Sequence, residues 1–406
     1  MDKPKKILAA MKKHSFKTNT KVVCVVVVFI FCMNMVVVLC PPFADFYRRY
    51  IFHYTSMLMA VIMGLFPFSV GEVMICLAIL LSFLAIFIFL LGFLKIALLK
   101  KIRRYYFRGI VYILLYVYFT ETFHCFMLYH AGTLKEEVIA INQKISSDDG
   151  VHNNIFDNRI DDSLLSPNDA PSTDIEKLLL VYNHVTNKIN TLSLRMERDK
   201  NGDLLRHFTY EDCKEALHHI SDYYPLLKGY YPNPKRIYYS DIMSQQYLEG
   251  IYFPFSMEAN YNQIMYCSNT PGVICHELSH LKGYIREDEA NFIAYVACVN
   301  SDNEFLQYSG YLSVFYYLRH DLLEYGNDDI SEQMERLNEY AYQDNIFLKE
   351  EDFEEIEKNA VISTETLSEA TDTFLDTNLK MNGVSSGMDN YNEVVKLLIL
   401  YYGLME

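Results

Sequence analysis

Three long apolar runs near the N-terminus dominate the pattern of hydrophobic and polar positions in this chain. They cover residues 22–40, 73–99 and 109–129, and the first of them carries no charge at all. A helix needs about 20 apolar residues to cross a hydrocarbon core of about 30 Å, so each run is long enough. The pattern predicts a membrane domain over residues 22–130 with three transmembrane helices.

A fourth apolar stretch, Ile51 to Phe68, is less regular. It carries His53 and ends near Pro67, a residue type that interrupts helices. It predicts an interfacial or re-entrant helix in place of a fourth span. The first run is long for a signal peptide and lacks a small-residue cleavage site, so we expect it to remain as an anchor.

Beyond residue 130 the pattern changes to amphipathic segments. A polar stretch at 146–173 predicts a loop, and stretches at 236–240 and 250–256 are β-like by composition. Residues 131–406 are therefore predicted to form a mainly α, α+β domain. Its predicted helices are 132–144, 174–198, 209–227, 285–301, 304–325, 328–344, 346–359, 362–381 and 388–402.

Basic residues predict the orientation of the spans. Residues 1–21 form a basic tail, and five Lys and Arg lie in the predicted loop 100–108, whereas only Arg48 and Arg49 lie between the first two spans. Basic segments stay on the cytoplasmic side. The tail is therefore expected in the cytoplasm, and residues 131–406 outside the cytoplasmic membrane.

The net charge changes from positive to negative at the end of the third apolar run. There are 15 Lys and Arg against 4 Asp and Glu up to residue 130, and 21 against 47 beyond it. An acidic ectodomain is not attracted to nucleic acid, whereas it can favour cationic substrates or simply stay soluble. The expected partners are the lipid bilayer and a peptide or protein substrate.

The candidate chemistry lies in the segment His276-Glu277-Leu278-Ser279-His280, which spells H-E-x-x-H. Thr270 and Pro271 suit the N-cap and the first position of a helix here, and Gly283 suits its end. On a helix, His276 and His280 share one face and can bind one Zn²⁺, while Glu277 can act as the general base. A chance occurrence of five residues is the alternative.

A third ligand is expected from the acidic segment that follows. Glu287 or Glu289 can supply it, and Glu287 is favoured because it shares a helix face with Asn291, which can orient a ligand histidine. The alternative is a solvated first helical turn. Arg286 occupies the position of the third histidine of metzincins, which excludes that class.

The strand before the metal helix of a zincin usually borders the substrate cleft. Residues 250–262 are the candidate for this edge, with Phe255 and Ser256 as candidate contacts, although an ordinary core strand fits equally well. Four polar residues on a later predicted helix could donate a hydrogen bond to a reaction intermediate or could simply pack or face solvent. They are Tyr316, Tyr317, Arg319 and His320.

Four cysteines lie beyond the predicted spans: Cys213, Cys267, Cys275 and Cys298. They could form two disulfides or remain as buried free thiols, and no zinc-finger spacing is present.

With these residues in place, the chain resembles a family of uncharacterised bacterial integral membrane proteins with a zincin-like ectodomain. The resemblance rests on residues 66–72, 252–260, 276–283 and 286–292, which read FPFSVGE, YFPFSMEAN, HELSHLKG and REDEANF. The chain departs from the family at 377–383, where one residue and a tyrosine are missing, and at Met257, where glycine is expected.

The resemblance implies a membrane anchor and a zinc site, and it implies no substrate. The segment that contains Glu287 is also similar to the third-ligand helix of other glutamate zincins, which supports Glu287 as the ligand.

The sequence therefore predicts a membrane-anchored zinc metallopeptidase. His276, His280 and Glu287 would hold Zn²⁺, and Glu277 would take a proton from the attacking water. The alternative is a non-catalytic zinc-containing ectodomain that binds, senses or acts as a scaffold, although a structural site does not need Glu277. An intramembrane protease is disfavoured, because charged residues such as Lys282 follow the motif.

Overall fold

The computed structural model describes residues 3–91, 97–147, 173–325, 328–382, 384 and 393–404. The helices of its first part are α1 (Lys3–Leu39), α2 (Pro41–Phe46), α3 (His53–Met63), α4 (Val70–Leu91), α5 (Ala97–Glu121), α6 (Met127–Tyr129) and α7 (Leu134–Ser147). Two π-helical segments, Tyr47–Phe52 and Thr122–Phe126, join α2 to α3 and α5 to α6.

Three stretches of the described chain are long and apolar enough to cross a membrane: Thr20–Leu39, Val70–Leu91 and Leu98–Gln143. This confirms the three predicted apolar helices, although residues 92–96 of the second lie outside the described residues. The predicted basic loop at 100–108 is wrong. These residues form the first turns of α5, because Lys and Arg are good helix formers.

The second part is mostly helical, as predicted. Its helices are α8 (Asp174–Ser193), α9 (Tyr210–His219), a 3₁₀ turn (Pro225–Leu227), α10 (Ser240–Gln245), α11 (Thr270–His280), α12 (Glu287–Val299), α13 (Glu304–Tyr325), α14 (Asp328–Gln333), α15 (Glu339–Asp344), α16 (Glu350–Asn359), α17 (Thr364–Met381) and α18 (Glu393–Tyr401). The single helix predicted at 328–344 is two, because Asn338 caps a new start at α15. Most of the predicted loop at 146–173 lies outside the described residues.

A small sheet carries three strands in the order β1-β3-β2: β1 (Lys235–Ile237), β2 (Gly250–Phe253) and β3 (Glu258–Asn262). β1 runs parallel to the central β3, and β2 runs antiparallel to it. β2 is therefore an edge strand. In the turn between β2 and β3, Met257 has a φ of 54°, a left-handed conformation that glycine adopts more easily. This accounts for the glycine expected there by resemblance.

α12 lies at the centre of the core formed by the part of the chain beyond residue 130. It packs against α9, α11, α13 and α18, and nearly all of its side chains are buried. Since α11 carries the H-E-x-x-H segment and contacts both α12 and the sheet, the candidate site lies between the helical core and β2.

The loop after α11 rests on the segment between the first two apolar helices. Ser56 Oγ on α3 donates a hydrogen bond to Leu281 O. Gly283 has a φ of 95° and packs so closely on Arg48 that an added Cβ would lie 3.1 Å from its Cγ. Arg286 Nη2 donates to Tyr129 O at 2.7 Å. These contacts cross the predicted domain boundary at residue 130.

A buried ion pair makes a second junction. Lys235 Nζ lies 3.1 Å from Glu258 Oε1, and it also donates to Phe68 O at 3.0 Å. Glu258 in turn accepts hydrogen bonds from Val70 N at 3.2 Å and Gly71 N at 2.8 Å. Because these amides are the first of α4, the sheet is attached directly to the start of that helix.

Candidate metal centre

Helix α11 begins one residue before the predicted first position. Thr270 is its first residue, Pro271 lies in its first turn, and Asn269 precedes it without a side-chain cap. Gly272 N instead donates to Ser309 Oγ on α13 at 3.1 Å, which satisfies one of the free amides of the first turn.

Three side chains from α11 and α12 converge on one point. His276 Nε2 and His280 Nε2 lie 3.0 Å apart. Glu287 Oε2 lies 3.1 Å from His276 Nε2, and its Oε1 lies 3.8 Å from His280 Nε2. α11 supplies both imidazoles because residues four apart share a helix face, and the turn at Gly283 brings the first residue of α12 back beside them.

This arrangement fits a zinc ion. Zinc forms tetrahedral sites with bonds of about 2.0–2.2 Å to imidazole nitrogen and carboxylate oxygen, which separates the ligand atoms from one another by roughly 3.3 Å. The measured separations of 3.0, 3.1 and 3.8 Å bracket that value. Three protein ligands leave a fourth position for water or substrate.

The backbone orients His280 for this role. Its Nδ1 lies 2.8 Å from Tyr284 O, so Nδ1 carries the proton and donates it to this carbonyl. The lone pair of Nε2 is then free to face His276 and Glu287, which is the usual arrangement behind a metal-bound histidine.

The charges within the cluster are strongly coupled. Burial opposes protonation of His276, but the hydrogen bond and charge of Glu287 outweigh burial and raise the pKa of His276 to about 9. Burial lowers the pKa of His280 to about 4. Burial alone would raise the pKa of Glu287, yet His280 and His276 together lower it to about 2. The cluster thus favours a protonated His276 paired with an ionised Glu287, while His280 stays neutral.

Glu277 lies beside the cluster with its carboxyl group buried. Its side chain is 4% exposed, and Oε2 has no hydrogen-bond partner among the described residues. Burial raises the pKa of Glu277 to about 8. Gly250, the first residue of β2, lies directly against it: an added Cβ would overlap Glu277 Oε1 and lie 2.8 Å from Val273 Cγ1.

Of the two glutamates left open by the sequence, only Glu287 faces the histidines. Glu289 is 2% exposed, and its Oε1 accepts a 2.7 Å hydrogen bond from Leu134 N at the start of α7. Burial raises the pKa of Glu289 to about 7. Glu289 thus joins α12 to the chain that leaves the third apolar helix.

Asn291, one turn after Glu287, lies beside His276 and contributes to its raised pKa. Its Nδ2 lies 3.5 Å from the hydroxyl of Tyr317 on α13. Tyr317 thus reaches the cluster from a third helix, and burial together with the charges of Glu249 and Glu287 raises its pKa. Tyr316 is 66% exposed, and the side chain of Arg319 is exposed as well.

Of the predicted substrate edge at 250–262, residues 250–253 form β2, and the candidate contacts Phe255 and Ser256 lie beyond its end. Tyr252 packs on His280 with ring centroids 5.8 Å apart. Phe255 and Ser256 lie in the turn that follows β2, where Phe255 O accepts a hydrogen bond from Tyr116 and Ser256 Oγ donates to Glu258 at 2.6 Å. Gly250 and Tyr252, which sequence reasoning did not single out, are the β2 residues that contact Glu277 and His280.

The sequence also indicates His320 as a candidate hydrogen-bond donor and four cysteines as candidate disulfide partners. His320 Nδ1 lies 3.6 Å from Asp321 Oδ1 and 3.7 Å from Glu324 Oε2 on an exposed side of α13. The four cysteines beyond residue 130 are free thiols, and three of them lie close together: Cys275 Sγ on α11 lies 3.7 Å from Cys298 Sγ and 3.7 Å from Cys213 O.

Comparison with known proteins identifies a family whose function is unknown. A family described as "Protein of unknown function (DUF3810)" matches residues 47–399. No curated protein and no solved structure matches the chain. The match agrees with the resemblance to an uncharacterised family that the sequence motifs carry.

Proposed function

For this chain, which belongs to the DUF3810 family of proteins of unknown function, we propose a membrane-anchored zinc metallopeptidase. The observation that carries the proposal is the convergence of His276, His280 and Glu287 beside the buried carboxyl group of Glu277, whose Oε2 has no hydrogen-bond partner among the described residues. The first three would hold Zn²⁺. A zinc ion bound there would act as a Lewis acid and lower the pKa of water.

Glu277 is the general base in this proposal. Its Oε2 has no other hydrogen-bond partner among the described residues. A zinc ion held by the three neighbouring side chains would lower the raised pKa of Glu277 again, and the ionised carboxylate could then accept the proton of the attacking water. Glu277 then donates that proton to the leaving amine of the cleaved peptide bond. Asn291 and Tyr284 O keep the two imidazoles in orientation.

The edge strand β2 offers a place for the substrate backbone. Asn262 N donates to Glu249 O at 2.8 Å, so Glu249 bonds towards β3. In an antiparallel pair the bonding direction alternates, and the backbone groups of Gly250 and Tyr252 are therefore directed to the open edge. A peptide that pairs there would run past Glu277, which supports peptides as the substrate class.

The fold and the placement belong to the same proposal. A helix with H-E-x-x-H, a following helix that supplies a glutamate and an edge strand beside the metal helix together support a zincin-like ectodomain. The basic tail and the basic first turns of α5 support a cytoplasmic N-terminus and an ectodomain outside the cytoplasmic membrane.

The first test is the metal content of the full-length protein purified in detergent, measured by mass spectrometry beside His280→Ala. We expect about one zinc per chain in the wild type and a large loss in the variant. His320→Ala, in the exposed cluster of α13, is the matched control and should keep its zinc. Folded wild-type protein that binds no zinc would refute the proposal.

Activity is tested next with a library of fluorogenic peptides on the zinc-loaded protein. Hydrolysis that a chelator abolishes and zinc restores supports the peptidase. One zinc per chain without hydrolysis of any peptide in the library would favour the non-catalytic ectodomain.

A further inference from the structure

A groove of about 510 Å³ lies between the segment that joins α3 to α4 and the part of the chain beyond residue 130. Its two walls come from the two parts of the chain. The wall on the membrane side includes Leu65, Phe66 and Pro67, and the wall on the ectodomain side includes Tyr210, Asn233 and Arg236. One wall is thus apolar, and the other carries a cation.

Arg236 is held in this groove by two tyrosines. Its Nε lies 3.1 Å from Tyr210 Oη and 3.0 Å from Tyr261 Oη. Its terminal nitrogens make no hydrogen bond or ion pair with the described residues. Arg236 is exposed, so its terminal nitrogens are open to an anion that approaches the groove from outside the protein. Its neighbour Lys235 is by contrast paired with Glu258.

The groove lies at the level where α4 begins. Glu72, in the first turn of α4, accepts hydrogen bonds from Tyr238 N and Tyr239 N, both at 2.9 Å. These tyrosines follow Arg236 closely in the chain, and their side chains are 79% and 51% exposed; Leu65 is 78% exposed. Tyrosine rings favour the interface between bilayer and water. The surface around the groove therefore suits contact with lipid.

We propose that this groove binds the phosphate of a membrane phospholipid, with Arg236 donating to two phosphate oxygens and the Leu65–Pro67 wall facing the acyl chains. The planar guanidinium matches phosphate in a two-bond geometry. A lipid supplies both the anion and the apolar part that the two walls require, whereas free phosphate supplies only the anion. The proposal does not depend on the metal site.

Native mass spectrometry of the full-length protein in detergent tests the proposal directly. Phosphatidylglycerol is titrated against wild type, Arg236→Gln, Arg236→Lys and, as matched control, Arg195→Gln, which changes an exposed ectodomain arginine paired with Glu304. We expect the affinity for the lipid to fall about tenfold or more in Arg236→Gln, since a charge-assisted hydrogen-bond pair is lost. Arg236→Lys should have an intermediate affinity for the lipid, because lysine keeps the positive charge but cannot donate two parallel hydrogen bonds to the phosphate. Arg195→Gln should match the wild type.

Diacylglycerol, which has no phosphate, should bind all four proteins weakly and equally. Equal retention of phosphatidylglycerol by wild type and Arg236→Gln would overturn the proposal. So would a protein that binds inorganic phosphate at Arg236 and retains no lipid. Thermal unfolding of each variant in the same detergent shows whether it is folded.

A second measurement uses the absence of tryptophan from the chain. Tyr238→Trp introduces a single fluorophore at the rim of the groove, and Tyr342→Trp introduces one on α15, where the native side chain is 74% exposed. In vesicles with brominated phosphatidylglycerol, we expect quenching of the first fluorophore and not of the second. Equal quenching of the two, or none at position 238, would refute lipid contact at this surface.

Discussion

At the scale of single residues, the carboxyl group of Glu277 is the most unusual feature of the candidate metal centre. A buried polar atom without a partner costs about 1–3 kcal/mol of folding free energy. Oε2 of Glu277 is such an atom among the described residues, and groups of this kind are concentrated at functional sites. The cost is understandable if the carboxylate has a partner only during the reaction.

Glu277→Gln tests this explanation. We expect the variant to keep its zinc, since Glu277 is not one of the three converging side chains, and to lose about 10²- to 10⁴-fold in kcat, since an amide cannot accept the proton. Peptide hydrolysis and metal content are measured on the same preparation. Hydrolysis near the wild-type rate would remove Glu277 from the mechanism.

Glu287 and Glu289 differ in what they contact, and this difference predicts opposite effects. Glu287→Gln should lower the zinc content strongly, because it removes the charged oxygen beside His276 and His280. Glu289→Gln should leave the zinc content unchanged, because Glu289 accepts a hydrogen bond from Leu134 N and an amide oxygen can do the same. Mass spectrometry of the two variants side by side shows which glutamate is the third zinc ligand. Loss of zinc from Glu289→Gln, with zinc kept in Glu287→Gln, would identify Glu289 instead.

Glu289 also predicts a pH dependence of stability. Burial raises its pKa in the folded protein from the usual 4.5 to about 7, so the folded state binds this proton more tightly than the unfolded chain does. Its contribution is therefore most favourable below about pH 4.5 and declines as the pH rises to about 7, beyond which it stays constant.

In Glu289→Gln this titration is absent. The free energy of unfolding of Glu289→Gln, relative to that of the wild type, should therefore increase between about pH 4.5 and 7, by at most on the order of 3 kcal/mol. Thermal unfolding in detergent across this range measures it. A difference between the two proteins that does not change with pH would show that Glu289 keeps an ordinary pKa.

At the scale of secondary-structure elements, the close approach of β2 to α11 depends on a glycine. Gly250→Ala would place a methyl group on Glu277 and 2.8 Å from Val273 Cγ1, and the strand or the carboxylate must then move. We expect lower peptidase activity at unchanged zinc content, since none of the three converging ligands is touched. Gly109→Ala on α5 is the matched control, because its added Cβ would meet nothing within 4 Å. Wild-type activity in Gly250→Ala would argue against β2 as a wall of the cleft.

The elements differ in how far the sequence predicts them. α11 is predictable because its signals are local: a proline in the first turn, two histidines one turn apart and a glycine after the end. β3 was not recognised as a separate strand, although its five residues are all buried. Two of its polar side chains bond to other parts of the chain: Asn262 Nδ2 donates to Ser244 Oγ at 2.8 Å, and Glu258 accepts from Gly71 N. A local pattern cannot reveal such partners.

In the candidate site, too, some residues can be predicted from local spacing, whereas others depend on tertiary packing. His276, Glu277 and His280 follow from spacing within one helix, whereas the choice between Glu287 and Glu289 depends on how the loop at Gly283 turns. The roles of Gly250 and Tyr252 depend on the packing of the sheet against α11. Phe255 and Ser256 were chosen from their position in the chain, and the turn after β2 holds them beside Tyr116 and Glu258 instead.

At the scale of the whole molecule, residues 131–406 and the helices before them share buried polar contacts. The ammonium group of Lys235 is satisfied in part by Phe68 O, and the carboxylate of Glu258 by Val70 N and Gly71 N. The family match, which begins at residue 47, includes this segment. Residues 131–406 therefore do not contain all the partners of their own buried groups.

Expression of residues 131–406 alone tests this conclusion. We expect the fragment to unfold at a lower temperature than the full-length protein or to aggregate, because a buried ion pair loses its hydrogen-bond partners and the loop after α11 loses Ser56. Circular dichroism and size-exclusion chromatography in the same detergent compare the two. A monomeric fragment as stable as the full-length protein would show that these contacts contribute little.

The short strand β2 also sets the distance between Glu277 and the start of α4. Gly250 lies against Glu277, and three residues later the ring of Phe253 packs on Gly71, next to the first residue of α4. At about 3.3 Å per residue, β2 spans about 10 Å between these two contacts. A peptide that follows β2 upwards from the bilayer would reach Glu277 only about three residues after it leaves the level of Gly71. For a substrate anchored in the membrane, the proposed pairing with β2 would therefore set how many residues separate the cleaved bond from the bilayer.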